Sequence, residues 1–207
     1  MIINTKQNKH LNSLDLLRGI SGYGVAICHF YAFLYNNVNL EYLSFLFVEF
    51  FFVLSGFVLF PQLVLVLKDK RNILRFYMRR WLRTIPLFLI CLIMISLIFD
   101  EVFTSNFFKY IFFIQDIKPN FLSNAYYPIV WSLSIEEFFY VIFPIIIIFF
   151  GKKNFINKVF LFFVFLILIK FITCNYFDID YFRTGTLLRI DAILVGFILR
   201  YFYEKIE

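Results

Sequence analysis

Charge is scarce in this 207-residue sequence: Asp, Glu, Lys and Arg make up 16%, against 62% hydrophobic residues. That balance excludes a soluble domain of this length, because one core cannot hide so much apolar surface. Cysteine is scarce too. Cys28, Cys91 and Cys174 lie in or beside apolar runs with no metal-ligand spacing, so they are expected to pack, and no metal centre is expected. The apolar runs lack the in–out alternation of a membrane β-barrel strand. No internal repeat or low-complexity linker divides the chain, which predicts a single membrane domain over residues 1–207. The basic start, "MIINTKQNKHLNSLDLLRGIS", reaches no small-residue cleavage site after a short apolar core. The first apolar span is therefore expected to be retained rather than removed as a signal peptide.

What is present in excess is aromatic and aliphatic: 33 Phe, 13 Tyr and a mean hydropathy of +0.81. Lipid has to be the solvent for much of the chain. The expected fold is an all-α, polytopic transmembrane helix bundle. At about 20 residues per crossing, the spans fall near 14–35, 43–66, 84–99, 129–150, 156–174 and 183–203. The third is short and is placed to begin inside the preceding basic stretch. The net charge of +6 does not point to nucleic acid, because the basic residues cluster beside apolar spans and report orientation. Lys6 and Lys9, "KDKRNILRFYMRRWLR" (68–83), "GKKNFINK" (151–158) and Lys205 all fall on one side of a six-span chain. Both termini are then cytoplasmic, in the cell membrane. The stretch 100–127 is too long and aromatic for a simple turn, and "FFKYIFFIQ" (107–115) is too short to cross. A re-entrant or interfacial segment is expected there.

Ionisable residues inside apolar spans mark candidate chemistry. Arg18 and His29 are eleven residues apart, so on a helix they share a face, about 16 Å apart along the axis. Gly19, Gly22 and Gly24 lie between them and permit close approach of a helix or a ligand. The alternative is a snorkelling arginine and a packing histidine. Glu49 and the pair Ser55-Gly56 enter the second span, where Ser-Gly suits helix packing. "MRRWLRTIP" (78–86) places Arg80 and Arg83 side by side at i and i+3. Two guanidiniums suit the forked hydrogen bonds of a phosphorylated ligand, while contact with anionic lipid would need the same charges. "WSLSIEEFFY" (131–140) holds the adjacent acids Glu136 and Glu137, pointing about 100° apart on a helix. Arg189 and Asp191 are free to neutralise each other, or to pair with Glu136 and Arg18 as structural ion pairs.

Five motifs in order resemble one family: "LDLLRGISGYGVAICHF" (R-x10-H), "FFVLSGFVL", "RRWLRTIP" (R-x-x-R), "WSLSIEEFFY" and "RIDAILVG", from Leu14 to Gly196. This is the membrane-bound acyltransferase family 3, the bacterial O-acetylases of cell-surface glycans. The resemblance implies an enzyme that carries an acyl group, most often acetyl, from cytoplasmic acyl-CoA to a sugar hydroxyl. Acetyl-CoA would be a donor substrate, with no permanently bound cofactor. Arg18 and His29 occupy the essential positions of the first motif, Arg80 and Arg83 fill R-x-x-R, and Glu136 matches the acid of W-S-L-x-x-E. Glu137 is the neighbour that motif does not require. His29 would act as base or proton relay with an acid such as Glu136 orienting it, Arg80 and Arg83 would bind CoA phosphates, and Arg18 would hold the donor's polar part or a developing negative charge.

The family core has about ten spans, so this sequence resembles its N-terminal part with the C-terminal helices missing. A fragment, a partner chain that supplies the rest, and a non-catalytic remnant are the three consequences to weigh. A small transporter using the same intramembrane charges is the other alternative, although it has no need of the Arg80/Arg83 pair. The orientation is directly testable. Reporter fusions after Asn37 and after Asp178 are expected to read the outer side, and a fusion after Lys153 the inner side; an outward signal at Lys153 would exclude six crossings.

Overall fold

Every long apolar run in the chain is helical, as a backbone in lipid requires when it cannot bond to water. The computed structural model describes residues 12–122, 125–176 and 179–206. Lys6 and Lys9 of the basic start, and residues 177 and 178 of the loop "NYFDID", lie outside them. The long helices are α1 (Asn12–Tyr35), α2 (Val38–Lys68), α3 (Asn72–Ile98), α5 (Trp131–Phe150), α6 (Phe155–Thr173) and α8 (Ile190–Ile206). The short ones are α4 (Ser105–Ile111) and α7 (Ile179–Thr184), and no strand occurs among the described residues. Four helices, α2, α3, α5 with its preceding turn and α6, are long and apolar enough to cross a membrane. The chain folds as a helical membrane bundle. The expected first and last spans fall on α1, which carries Asp15, Arg18 and His29, and on α8, which has 17 residues.

Three boundaries differ from the expected spans. The second helix begins at Val38 rather than 43. The third does begin inside the basic stretch, as expected, but as early as Asn72. A turn of three residues, closed by Asp69 N–H donating to Leu65 O at 3.0 Å and Asn72 Nδ2 to the same oxygen at 3.1 Å, separates α2 from α3. Nothing after Asn72 breaks the helix, so Arg75, Arg79, Arg80 and Arg83 ride on α3 itself. The sixth span begins at Ile190 rather than 183, because Gly185 ends α7 with its N–H on Tyr181 O and a 3-10 turn at Thr186–Leu188 follows.

The chain divides into two compact units: one holds α1, α2 through Pro61 and the chain from Ala192, the other Gln62–Asp191. In the first, α2 and α8 cross at two glycines. A Cβ on Gly56 would lie 1.8 Å from Ile193 O, and one on Gly196 would lie 1.8 Å from Val53 O. The two backbones are in direct contact, and Phe60 stacks edge-on against Phe197 one turn away at 4.8 Å. This reciprocal contact accounts for the "SGF" and "LVG" motifs. Small residues are how membrane helices approach closely when apolar side chains gain nothing over lipid.

In the second unit α3 and α5 run antiparallel, with Tyr77 Oη donating to Val141 O and Trp81 meeting Glu137. Trp81 lies about 25 Å before the end of α3, but Glu137 only about 9 Å after the start of α5. The helix α5 therefore starts well short of the level where α3 ends. Residues 104–122 and 125–130 fill that space by folding back along α3. Phe88, Leu92, Phe107, Tyr110, Phe113, Tyr126 and Val130 form one buried cluster there, and the rings of Phe88 and Phe113 are 4.7 Å apart. The segment expected to be re-entrant or interfacial is thus packed against protein rather than left as a simple turn. Buried irregular backbone needs protein partners, and it finds them. Lys109 Nζ donates to Phe121 O, Tyr127 N–H to Tyr110 Oη, and Tyr181 Oη to Ile117 O. Gln115 donates to Ser134, and Thr186 N–H to Asp116 O.

The glycine crossing makes a sharp prediction. Gly196→Ala is expected to destabilise the protein in detergent by about 2 kcal/mol or more, since an inserted methyl forces backbones apart. Gly19→Ala, whose Cβ meets open space, is expected to be neutral or to stabilise by up to about 1 kcal/mol through helix propensity. Thermal unfolding of both variants measures the difference.

Candidate active site

One turn of α3 and one turn of α5 carry a cluster of polar side chains in the second unit. The sequence "RRWLRT" puts Arg80, Trp81 and Thr84 on neighbouring positions of α3, and "EEFFY" puts Glu136, Glu137 and Tyr140 on α5. Trp81 Nε1 donates to one oxygen of Glu137 at 3.1 Å, and Thr84 Oγ1 lies 3.3 Å from the other. The Arg80 guanidinium sits over the Tyr140 ring, 5.4 Å from its centroid, with Nη2 3.4 Å from Gln62 Oε1. Tyr140 Oη in turn donates to Glu136 at 2.8 Å. Two residues expected from separate motifs, Arg80 and Glu136, are thus linked through one tyrosine. Arg83 does not share this environment: Arg80 is half-buried and Arg83 is exposed, although both ride on one helix. A cavity of about 300 Å³ opens beside the cluster, walled by Trp81, Ile85, Phe113, Glu137, Phe138 and Ile142 among others.

The first unit holds Arg18 and His29. They lie on α1 as the spacing predicts, both half-buried. Arg18 Nη1 reaches back one turn to Asp15 at 3.4 Å. Two of the three glycines between them, Gly22 and Gly24, serve helix approach, while Gly19 faces open space. A Cβ on Gly24 would meet the Phe47 ring at 2.7 Å and one on Gly22 the Phe51 ring at 3.5 Å, so α2 occupies the room they leave.

A family model for an acyltransferase domain matches residues 11–207, spanning both units. The chain belongs to the acyltransferase-3 family. It is 32% identical over 222 residues to O-acetyltransferase OatA of Staphylococcus aureus (strain NCTC 8325 / PS 47), covering 94% of this chain and 35% of that protein. It is 27% identical over 187 residues to an uncharacterized protein of Haemophilus influenzae, covering 76% of this chain and 75% of that one. The chain thus spans about a third of the length of the OatA relatives. No solved structure matches it.

Family membership agrees with the helical membrane fold, and the structure adds residues that the motifs alone did not single out. Glu137, Trp81 and Tyr140 are the main ones. The signal for Glu137 was present as the second acid of "EE", but the rotation of α5 decides which acid faces α3, and sequence does not state it. Asp191 also has a partner that sequence reasoning missed: Lys170 of α6, at 2.7 Å with both side chains largely shielded. Arg189 lies close enough to interact with the same carboxylate. The charge pair expected within α8 is thus a group of three that includes α6.

Proposed function

We propose that this chain is the acyl-transfer membrane domain of an O-acetyltransferase that uses acetyl-CoA and delivers the acetyl group to a hydroxyl of an exported or cell-surface glycan. It lies in the cell membrane with its termini in the cytoplasm. The observation that carries the reading is the junction of Arg80 with Glu136 through Tyr140, in a chain that belongs to an acyltransferase family along nearly its whole length. Arg80 and Arg83 lie in the N-terminal half of α3, about 12 and 17 Å along it from Asn72, on the same helix as the basic residues that follow the turn 69–71. From there they meet a ligand that arrives from the cytoplasm with its phosphates first. A guanidinium offers such a ligand paired N–H donors in a fixed fork, and the Tyr140 ring beneath Arg80 holds that fork in plane without neutralising it.

At the other end of the reaction, an alcohol attacks a thioester only as its proton leaves, and an imidazole is suited to accept that proton near neutral pH. His29 is that base or relay. Arg18, half-buried and only loosely engaged by the exposed Asp15, retains donors for the polar part of the donor or for charge that develops on the carbonyl oxygen. The matched S. aureus relatives carry the name O-acetyltransferase, which supports the acetyl group as the one transferred.

Donor binding and transfer separate experimentally. Arg80→Gln with Arg83→Gln is expected to weaken acetyl-CoA binding by about tenfold or more, as each charged hydrogen bond is worth roughly 1.5–3 kcal/mol. His29→Gln is expected to leave that binding intact while cutting acetylated product by about 10² or more. Titration calorimetry and product assay at matched expression make the comparison. Unchanged affinity in the double variant would return the arginines to lipid contact, and near wild-type product from His29→Gln would remove the histidine from proton transfer.

A further inference from the structure

We propose that Glu137, the acid outside the W-S-L-x-x-E spacing, is the positioning residue for Arg80. The inference rests on the donor-binding reading above. Glu137 is 3% exposed, and its two oxygens face two donors from α3, the Trp81 indole N–H and the Thr84 hydroxyl. The Thr84 hydroxyl also lies 2.8 Å from the Arg80 carbonyl oxygen, so its single proton is shared between Arg80's own backbone and Glu137. Trp81 is the next residue after Arg80, and Thr84 is one turn on. The carboxylate therefore grips the turn of α3 that presents Arg80, and Arg80 lies near enough to feel its charge. Tyr77 stacks parallel on Trp81 at 5.0 Å and donates to Val141 O, closing the same turn from below.

Stability alone does not call for a charge here. Between apolar helices, a carboxylate is commonly no better than an apolar side chain of the same volume. What a carboxylate does, and a methionine does not, is accept from both α3 donors and balance the guanidinium. Glutamine fails for a different reason: only one of its two terminal atoms accepts, so either Trp81 or Thr84 would face an N–H group. The hydroxyl that Glu136 receives comes from Tyr140 on its own helix.

The test uses the full chain in detergent or lipid nanodiscs and two readouts, acetyl-CoA affinity and thermal stability. Glu137→Met is expected to keep or raise stability yet weaken acetyl-CoA binding by about tenfold, equivalent to about 1.4 kcal/mol. Glu137→Gln should weaken binding similarly, and Arg80→Gln combined with Glu137→Gln should bind no worse than Arg80→Gln alone, since the two act as one unit. Wild-type affinity in Glu137→Met, or losses that add in full in the double variant, would overturn the proposal while leaving the donor site standing. Unchanged affinity in Arg80→Gln would overturn the donor site and this proposal together. Should neither Glu137 variant accumulate, Trp81→Phe removes one donor and keeps the ring. It is expected to bind acetyl-CoA severalfold more weakly, and wild-type affinity there would equally overturn the assignment.

Discussion

A carboxylate between two apolar helices has no water to turn to, so its hydrogen bonds have to come from the protein. At Glu137 they come from one turn of α3, and the register of α3 on α5 follows from them. With Trp81 opposite Glu137, α5 starts well short of the level where α3 ends, and the segment from Thr104 to Leu122 has a defined space to fill. With the same register, Arg80 lies over Tyr140 and is joined through it to Glu136. One buried acid thus sets the level at which the R-x-x-R and W-S-L-x-x-E motifs meet.

The two units solve the problem of association in lipid in different ways. The first uses backbone contact: Gly56 and Gly196 bring α2 and α8 together until carbonyl oxygens occupy the space a methyl would need. The second uses polar contacts, with Glu137 between α3 and α5, Lys170 with Asp191 between α6 and the start of α8, and the Lys109 and Tyr110 side chains bonded to the backbone of Phe121 and Tyr127. Both follow from the weakness of apolar attraction between helices already solvated by hydrocarbon. The polar solution also leaves charged atoms where chemistry can use them.

Sequence alone reached the helices and most of their ends, because runs such as "FFVLSGFVLF" have no alternative in lipid. It let the third span begin inside the basic stretch but centred it at 84–99, since positive charge near a span is read as a boundary, whereas Arg75 to Arg83 are good helix formers on a helix of 27 residues. The sixth span was set too early for a related reason: apolar Leu187 and Leu188 sit in a 3-10 turn that composition does not distinguish from helix. For the site, spacing placed Arg18 and His29 on one helix face and Arg80 beside Arg83. It did not separate Arg80 from Arg83 by burial, nor Glu136 from Glu137 by partner. Both distinctions depend on how far each helix is rotated about its axis, which packing against a neighbour decides.

The most direct measurement of the central claim, that the donor's phosphates bind where α3 and α5 meet, is photolabelling of the full chain in nanodiscs with a CoA analogue bearing a photoreactive azide at its nucleotide end, followed by peptide mapping. The account predicts label on α3 between Tyr77 and Thr84 and on α5 between Glu136 and Val141, competed away by excess acetyl-CoA. Competable label confined to other segments, with these two helices unmarked, would contradict it.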